Sequence, residues 1–336
     1  MSNTTTNTKY NTYKCLYGAL VGDAAGAVLE FYHDIITEEK ATNAMLMRGG
    51  GCIRVGPGQI TDDGELALSL WKGLNSINSK DNITFPYKEC LEEYIKWYMS
   101  MPFDMGGTCA TAFEYAHELY ENNHNSIGNS MIDPYLDYVA EQNKGSEANG
   151  ALMRISSLPT WAITHGIHWQ LVTEMAKADA TLSHPNIVCQ EVNAIYVLAC
   201  IYLLHGFSPE AVLILISNYV KEEVTSEKVY KWFFEESVDI NKIEPKKYIG
   251  HVRHAFSLAI YFLRNPKITY EEAIKKTLMM GGDTDTNAAI VGGLVACYQD
   301  IPEYMINPVL EFDSTMCTNH KKGHLRPKEY CVKYVL

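Results

Sequence analysis

The amino-acid sequence predicts an all-α protein, a single-domain orthogonal helical bundle of about a dozen helices. Three observations carry that expectation. Apolar residues recur at helical spacing along most of the chain, convincing strand pairs are few, and the connections between apolar segments are short. With 336 residues and 47% hydrophobic content, the chain is within reach of one large helical domain with a sizeable core.

The elements follow in order. Residues 15–29 interleave apolar side chains with Gly and Ala, which predicts a closely packed helix. In 62–74, Leu66, Leu68, Leu70 and Trp71 leave no room for strand alternation. Further helices are expected over 87–99, 109–121, 134–142, 150–164, 169–180, 187–204, 209–221, 226–235, 250–263, 270–280 and 286–298. No repeat at a fixed period is evident, which argues against a solenoid. The turn-rich segments 75–82, 122–129 and 238–247 are too short for domain linkers, so 12–314 is expected to form one domain. Residues 1–11 are polar and Thr/Asn-rich, with no apolar stretch of a signal peptide, and read as a disordered tail. Residues 315–336, locally basic at His320-Lys321-Lys322, read as a solvated tail or a packing extension.

Charge and cysteine usage narrow the classes of function. Lys and Arg number 28 against 40 Asp and Glu, a net charge of −12. That disfavours nucleic acid or an anionic membrane as partner, since such proteins gain affinity from exposed basic stripes. An anionic small molecule stays open, because a bound divalent ion reverses the local field. The apolar stretch 194–204 falls short of the roughly 20 residues of a membrane span. The nine cysteines are scattered, odd in number and without a CxxC pair. They suggest neither a disulfide framework nor a zinc site, and Cys200 and Cys297 read as small core residues. A cytoplasmic monomer is the expectation.

Two acidic clusters stand out: Thr61-Asp62-Asp63-Gly64, leading into one helix, and Gly281-Gly282-Asp283-Thr284-Asp285-Thr286-Asn287, leading into another. Helix capping alone accounts for acidic residues and Thr at such positions. It accounts less well for the second cluster, whose helix is too apolar and small-sided to be exposed. Carboxylates buried there need a partner or a metal. The clusters supply four carboxylates and several hydroxyls, a set of oxygens suited to Mg²⁺ or Mn²⁺, with Ca²⁺ also open, and unlike a zinc site.

The clusters, with the segment 18–31 ending in Glu30-Phe31 and the segment Asn149-Gly150-Ala151-Leu152-Met153-Arg154, resemble the ADP-ribosylglycohydrolase family in identity and order. The resemblance implies an all-α fold with two Mg²⁺ (or Mn²⁺) ions between helix N-termini. It implies Thr61, Asp62, Asp63, Asp283, Asp285 and Thr286 as their ligands, and Glu30 as a carboxylate that gates or activates the site. Glu30, Asp62, Asp63 and Asp104 become the candidate catalytic residues. The 102–108 loop resembles the family loop whose Asp contacts the substrate ribose, which here is Asp104. Gly106, Gly107, Thr108, Asn149 and Gly150 are candidates for diphosphate contact, and Ser183 and His184 for a ligand-proximal pair. Asp23 is expected to hold structure.

The implied activity is hydrolysis of the glycosidic bond at C1″ of ADP-ribose on an acceptor, protein arginine first among them, with serine-linked and O-acetyl-ADP-ribose open. The partner would be an ADP-ribosylated protein or an ADP-ribose derivative. A non-catalytic ADP-ribose-binding or structural protein on the same scaffold is the reading from another class. A haloacid-dehalogenase-type phosphotransferase would need a strand before its Asp-x-Asp, where 271–280 reads as helix. One departure from the family pattern is Gly64, where a Thr is common.

Overall fold

In the computed structural model the described residues are 2–76, 84–317 and 323–336, with side chains described from Asn11 onward. Sixteen α-helices cover them: α1 (Ser2–Gly26), α2 (Glu38–Met45), α3 (Asp62–Asn75), α4 (Tyr87–Met99), α5 (Gly107–Asn122), α6 (Ile132–Asn143), α7 (Ser157–His165), α8 (Trp169–Thr181), α9 (Ile187–Leu204), α10 (Pro209–Glu223), α11 (Glu227–Lys231), α12 (Val252–Arg264), α13 (Tyr270–Met280), α14 (Thr284–Ala296), α15 (Glu303–Glu311) and α16 (Val332–Val335). Among the described residues the only β pairing is two isolated bridges, Gly50 with Val55 and Ala148 with His251. The all-α expectation holds.

The centre of the bundle is the pair α1 and α14. Gly18, Gly22 and Gly26 recur every fourth residue on α1. A Cβ on any of them would overlap α14, at the backbone of Gly292, at that of Ala288, and at Thr284 and Asp285. The small residues of the predicted close-packed helix thus serve one purpose: they let two backbones touch. Tyrosines pin the pair from the side, Tyr270 Oη donating to Gly18 O at 2.7 Å and Tyr196 Oη to Ile290 O at 2.9 Å. α9 packs behind them as a core helix. It is 18 residues long and apolar enough in composition to cross a membrane, yet 78% of it is buried inside the fold. The apolar stretch is therefore longer than 194–204.

Several boundaries differ from expectation. The polar residues set apart as an N-terminal tail lie in α1, which begins at Ser2. The helix expected from residue 150 begins at Ser157, and 150–156 are turns that wall the site described below. The segment 226–235 splits into α11 and a π-helical turn over Trp232–Glu236. Neither α2 nor α15 was expected: α2 is one short polar helix capped by Thr37, and α15 carries Pro308 inside it, which reads as a helix breaker.

The C-terminal stretch is a packing extension rather than a solvated tail over its described residues. Arg326 is 3% exposed and clamps the buried Glu65 of α3 with Nε and Nη2, each 2.8 Å from a carboxylate oxygen. Tyr330, Cys331 and Val332 are also buried. His320, Lys321 and Lys322 lie outside the described residues.

Candidate metal centre

The two acidic clusters meet. Asp62 and Asp63 open α3 and Asp285 opens α14, and the α1–α14 contact at Gly26 brings Asp285 to the end of α1 that carries Asp23. Carboxylate oxygens of Asp23, Asp63 and Asp285 lie within 4.8 Å of one another, as do those of Glu30, Asp104 and Asp285. Thr61 Oγ1 stands 3.1 Å from Asp63 Oδ2, and Thr286 Oγ1 3.3 Å from the same oxygen. The strained approach to α14 needs Gly281 and Gly282, both in the left-handed region at φ 69° and 80°.

Capping does not explain these acids. Neither Thr61 nor Asp283, the residues at the two N-cap positions, makes a side-chain capping bond. The α3 N-terminus is capped from outside, by Asp23 of α1. Its carboxylate accepts from Thr61 N at 3.0 Å, Gly64 N at 2.9 Å and Thr61 Oγ1 at 2.8 Å. Asp23 thus supplies the cap, and Asp62 and Asp63 are left without a capping role. It also accounts for Gly64. A Cβ there would stand 2.7 Å from Asp23 Oδ2 and 2.9 Å from Ile60 Cβ, so a threonine cannot fit without displacing the cap.

The donor set fits hard divalent cations. Asp63 Oδ1 and Glu30 Oε2 are buried and have no hydrogen-bond partner. Burial drives the pKa of Asp62, Asp63 and Asp285 well above the usual carboxylate value, and the strongest like charges on Asp62 are Asp104 and Glu30. Burial, then Asp104, pushes Glu30 up to about 8. Interior oxygens that lack both a proton donor and a counter-charge call for an ion of opposite sign.

Above these acids lies a cleft of ≈ 340 Å³. It is lined by most of the residues the sequence singled out: Glu30, Asp62, Asp104, Gly106, Gly107, Thr108, Asn149, Gly150, His184, Asp283, Asp285 and Thr286. Thr61 and Asp63 sit beneath its floor and Ser183 behind its wall, all buried. Asn149 is tied twice: its Nδ2 donates to Asp283 Oδ2 at 2.7 Å and its N–H to Gly250 O at 2.9 Å. The latter bond belongs to the Ala148–His251 bridge, which brings Ile249 and Gly250 to the cleft.

Behind the wall runs a buried relay. Arg154 is fully buried, pairs with Asp179 at 3.0 Å and donates from Nη1 to Ser183 Oγ at 2.8 Å. Ser183 Oγ is 2.8 Å from His184 Nδ1. Arg154 can only donate, so Ser183 accepts from it and passes its own hydrogen to Nδ1, leaving the imidazole hydrogen on Nε2. Burial, then Arg154, lowers the His184 pKa to about 3, so the ring is neutral. Nε2 abuts Gly150, whose Cβ would lie 3.0 Å away. Asn143 joins the two walls, donating to Thr108 O at 3.0 Å and Ser183 O at 2.8 Å. Asn143, Asp179 and Ile249 were missed by sequence reasoning. Only Asp179 left a signal, as an acid between the small apolar Ala178 and Ala180 near the end of α8.

With this geometry in view, the comparisons define the class. A profile of the ADP-ribosylglycohydrolase family matches residues 4–326, so the chain belongs to that family. It is 28% identical to the ADP-ribosyl-(dinitrogen reductase) glycohydrolase of Rhodospirillum rubrum, covering 85% of each chain. It is 23% identical to an ADP-ribosylarginine hydrolase of Serratia proteamaculans, over 94% of this chain and 79% of that one. A solved structure described as an ADP-ribosylglycohydrolase-related protein complex superposes with a TM-score of 0.69 at 21% identity, over 97% of this chain and 96% of the other, and shares the fold.

Proposed function

We propose that the chain hydrolyses the bond between C1″ of ADP-ribose and an acceptor, with protein arginine the first acceptor to test, using two Mg²⁺ or Mn²⁺ ions. The observation that carries this is the convergence of Asp62, Asp63, Asp283 and Asp285 from two helix N-termini, with buried oxygens of Asp63 and Glu30 left without partners. Thr61, Asp62, Asp63, Asp283, Asp285 and Thr286 would hold the ions. When bound, these would bind the ribose hydroxyls and lower the pKa of water at C1″.

The chain's own residues supply the rest. Glu30 Oε2, buried at the cleft floor beside Asp104 and Asp285, is placed to accept the proton of an attacking water. Asp104 opens the loop opposite and can accept a hydrogen bond from a ribose hydroxyl. α5 begins at Gly107, so its free N–H groups and dipole offer an anion site at the cleft wall, which suits a diphosphate. The neutral His184 and the fixed Asn149 amide shape the opposite wall. The relative named an ADP-ribosylarginine hydrolase supports arginine as the acceptor, and the one named for dinitrogen reductase supports a protein substrate.

The test is release of ADP-ribose from an ADP-ribosyl-arginine peptide with Mg²⁺, Mn²⁺ or EDTA present. Release that depends on metal is the expected outcome. No release from this peptide, from an ADP-ribosyl-serine peptide or from O-acetyl-ADP-ribose would sink the proposal.

A further inference from the structure

A second cluster of metal-ligating groups lies away from the cleft. Cys15 on α1, Cys200 on α9 and Cys297 at the C-terminal end of α14 are 185 and 97 residues apart in sequence, yet their sulfurs all lie within 4.8 Å of one another. Cys15 and Cys200 are fully buried and Cys297 is 8% exposed. Cys297 Sγ donates to Gly293 O at 3.3 Å, one turn back on its own helix. None of the nine cysteines is in a disulfide, and Cys52 is the exposed one.

The geometry points to a site for one thiophilic cation, and we propose that this trio binds copper(I) in trigonal coordination as a structural ion joining α1, α9 and α14. Three sulfurs at the corners of a triangle no wider than 4.8 Å leave a centre no more than about 2.8 Å from each. A metal–thiolate bond is roughly 2.3 Å, so the helices need to close by only a few tenths of an ångström. Soft thiolates select copper(I) and zinc over the hard ions that suit the carboxylate site. Binding replaces the remaining S–H protons with the metal and adds a bonded link among α1, α9 and α14, the last two of which Tyr196 Oη and Ile290 O already join by a hydrogen bond. The site is closed to solvent, so the ion enters as the chain folds. Lys14, one residue from Cys15, places a positive charge near the resulting excess negative charge and pairs at the surface with Asp300 at 2.7 Å. Spacing could not reveal the site, because no two of the three cysteines are near in sequence.

The inference is independent of the hydrolase reading and its test does not use activity. The full chain is produced in medium supplemented with copper under reducing conditions, stripped of loosely held ions with EDTA, and measured by native mass spectrometry and elemental analysis. One retained equivalent of copper is expected in the wild type and in Cys52→Ser, and none in Cys200→Ser. Asp285→Asn should retain it too, which separates it from ions of the carboxylate site. If Cys200→Ser does not fold, Cys200→Ala keeps a small group in the interface. X-ray absorption on the wild type needs no variant and should show three sulfurs around the ion. A wild type without retained copper, retention in a folded Cys200 variant, or a shell without sulfur overturns the proposal.

Discussion

The molecule buries carboxylates in two ways, and the contrast between them separates architecture from chemistry. Asp179 and Glu65 lie in the interior with guanidinium partners: Arg154 holds the first, and Arg326 grips the second with two nitrogens while Trp97 Nε1 donates to it at 2.8 Å. Asp62, Asp63, Asp285 and Glu30 are equally buried, yet their strongest electrostatic neighbours are other carboxylates. Removing a charge from water is costly in either case. Where the chain supplies the counter-charge, the pair fixes structure; where it supplies none, the oxygens are suited to an ion from outside.

The largest effect should come from the unpaired set. Asp285→Asn is expected to abolish ADP-ribose release while leaving metal-free stability unchanged or higher, since it removes one of several mutually repelling buried acids. Full turnover in this variant would refute the site assignment. The same logic fixes a pH dependence. Glu30 and Asp23 have folded pKa values raised to about 8 and about 7, so the folded state binds more protons than the unfolded state above the ordinary carboxylate range. Their contribution is present at low pH and lost as pH rises through those values. Thermal unfolding in EDTA should therefore show falling stability between pH 6.5 and about 8, and Mg²⁺ or Mn²⁺ should flatten that slope. An identical slope with and without metal breaks the comparison.

The paired set should respond as architecture. Arg326→Met strands Glu65 in the core with Trp97 as its remaining donor, and breaking one side of a buried pair costs about 3–5 kcal/mol. Urea denaturation measures it. A loss near zero would mean that the Arg326–Glu65 pair contributes nothing to the fold.

These pairs also mark what sequence could and could not disclose. The acidic clusters were legible because charge at the start of an apolar helix conflicts with burial, and that conflict is visible locally. The helices 87–99, 187–204 and 270–280 were legible in full from periodicity, as α4, α9 and α13. Arg326 was not legible, because its partner lies 261 residues away and its neighbours His320-Lys321-Lys322 read as a solvated stretch. The turns 150–156 were read as helix because Ala151, Leu152 and Ile155 are apolar. They are apolar because they are buried, while Arg154 among them turns toward Asp179. The family resemblance placed Glu30, Asp104 and His184 where composition alone gave no reason to.

His184 offers a smaller effect of opposite sign. Its folded pKa is lowered to about 3, so between pH 6.5 and about 3 the unfolded chain takes up a proton that the folded chain refuses. Stability from this group is lost as pH falls through that window. In His184→Gln, stability at pH 4.5 relative to that at pH 6.5 should be higher than in wild type; an unchanged difference would place the acid sensitivity elsewhere.

The smallest effect expected tests the cap that joins the two regimes. Asp23 is buried without a guanidinium, yet three donors of the α3 N-terminus satisfy it, and Gly64 leaves the space for that arrangement. Gly64→Thr, which restores the residue common in the family, should crowd Asp23 and Ile60 and cost about 1–3 kcal/mol, the range for overpacking a core. Because the cap aims Asp62 and Asp63, the variant should also weaken Mg²⁺ or Mn²⁺ binding, read by titration calorimetry. Unchanged stability with weaker binding would show that the backbone at Gly64 yields and that Asp23 serves the metal site more than the helix. A more stable variant with unchanged binding would show that the glycine is an accident of this chain and that the cap accommodates a side chain after all.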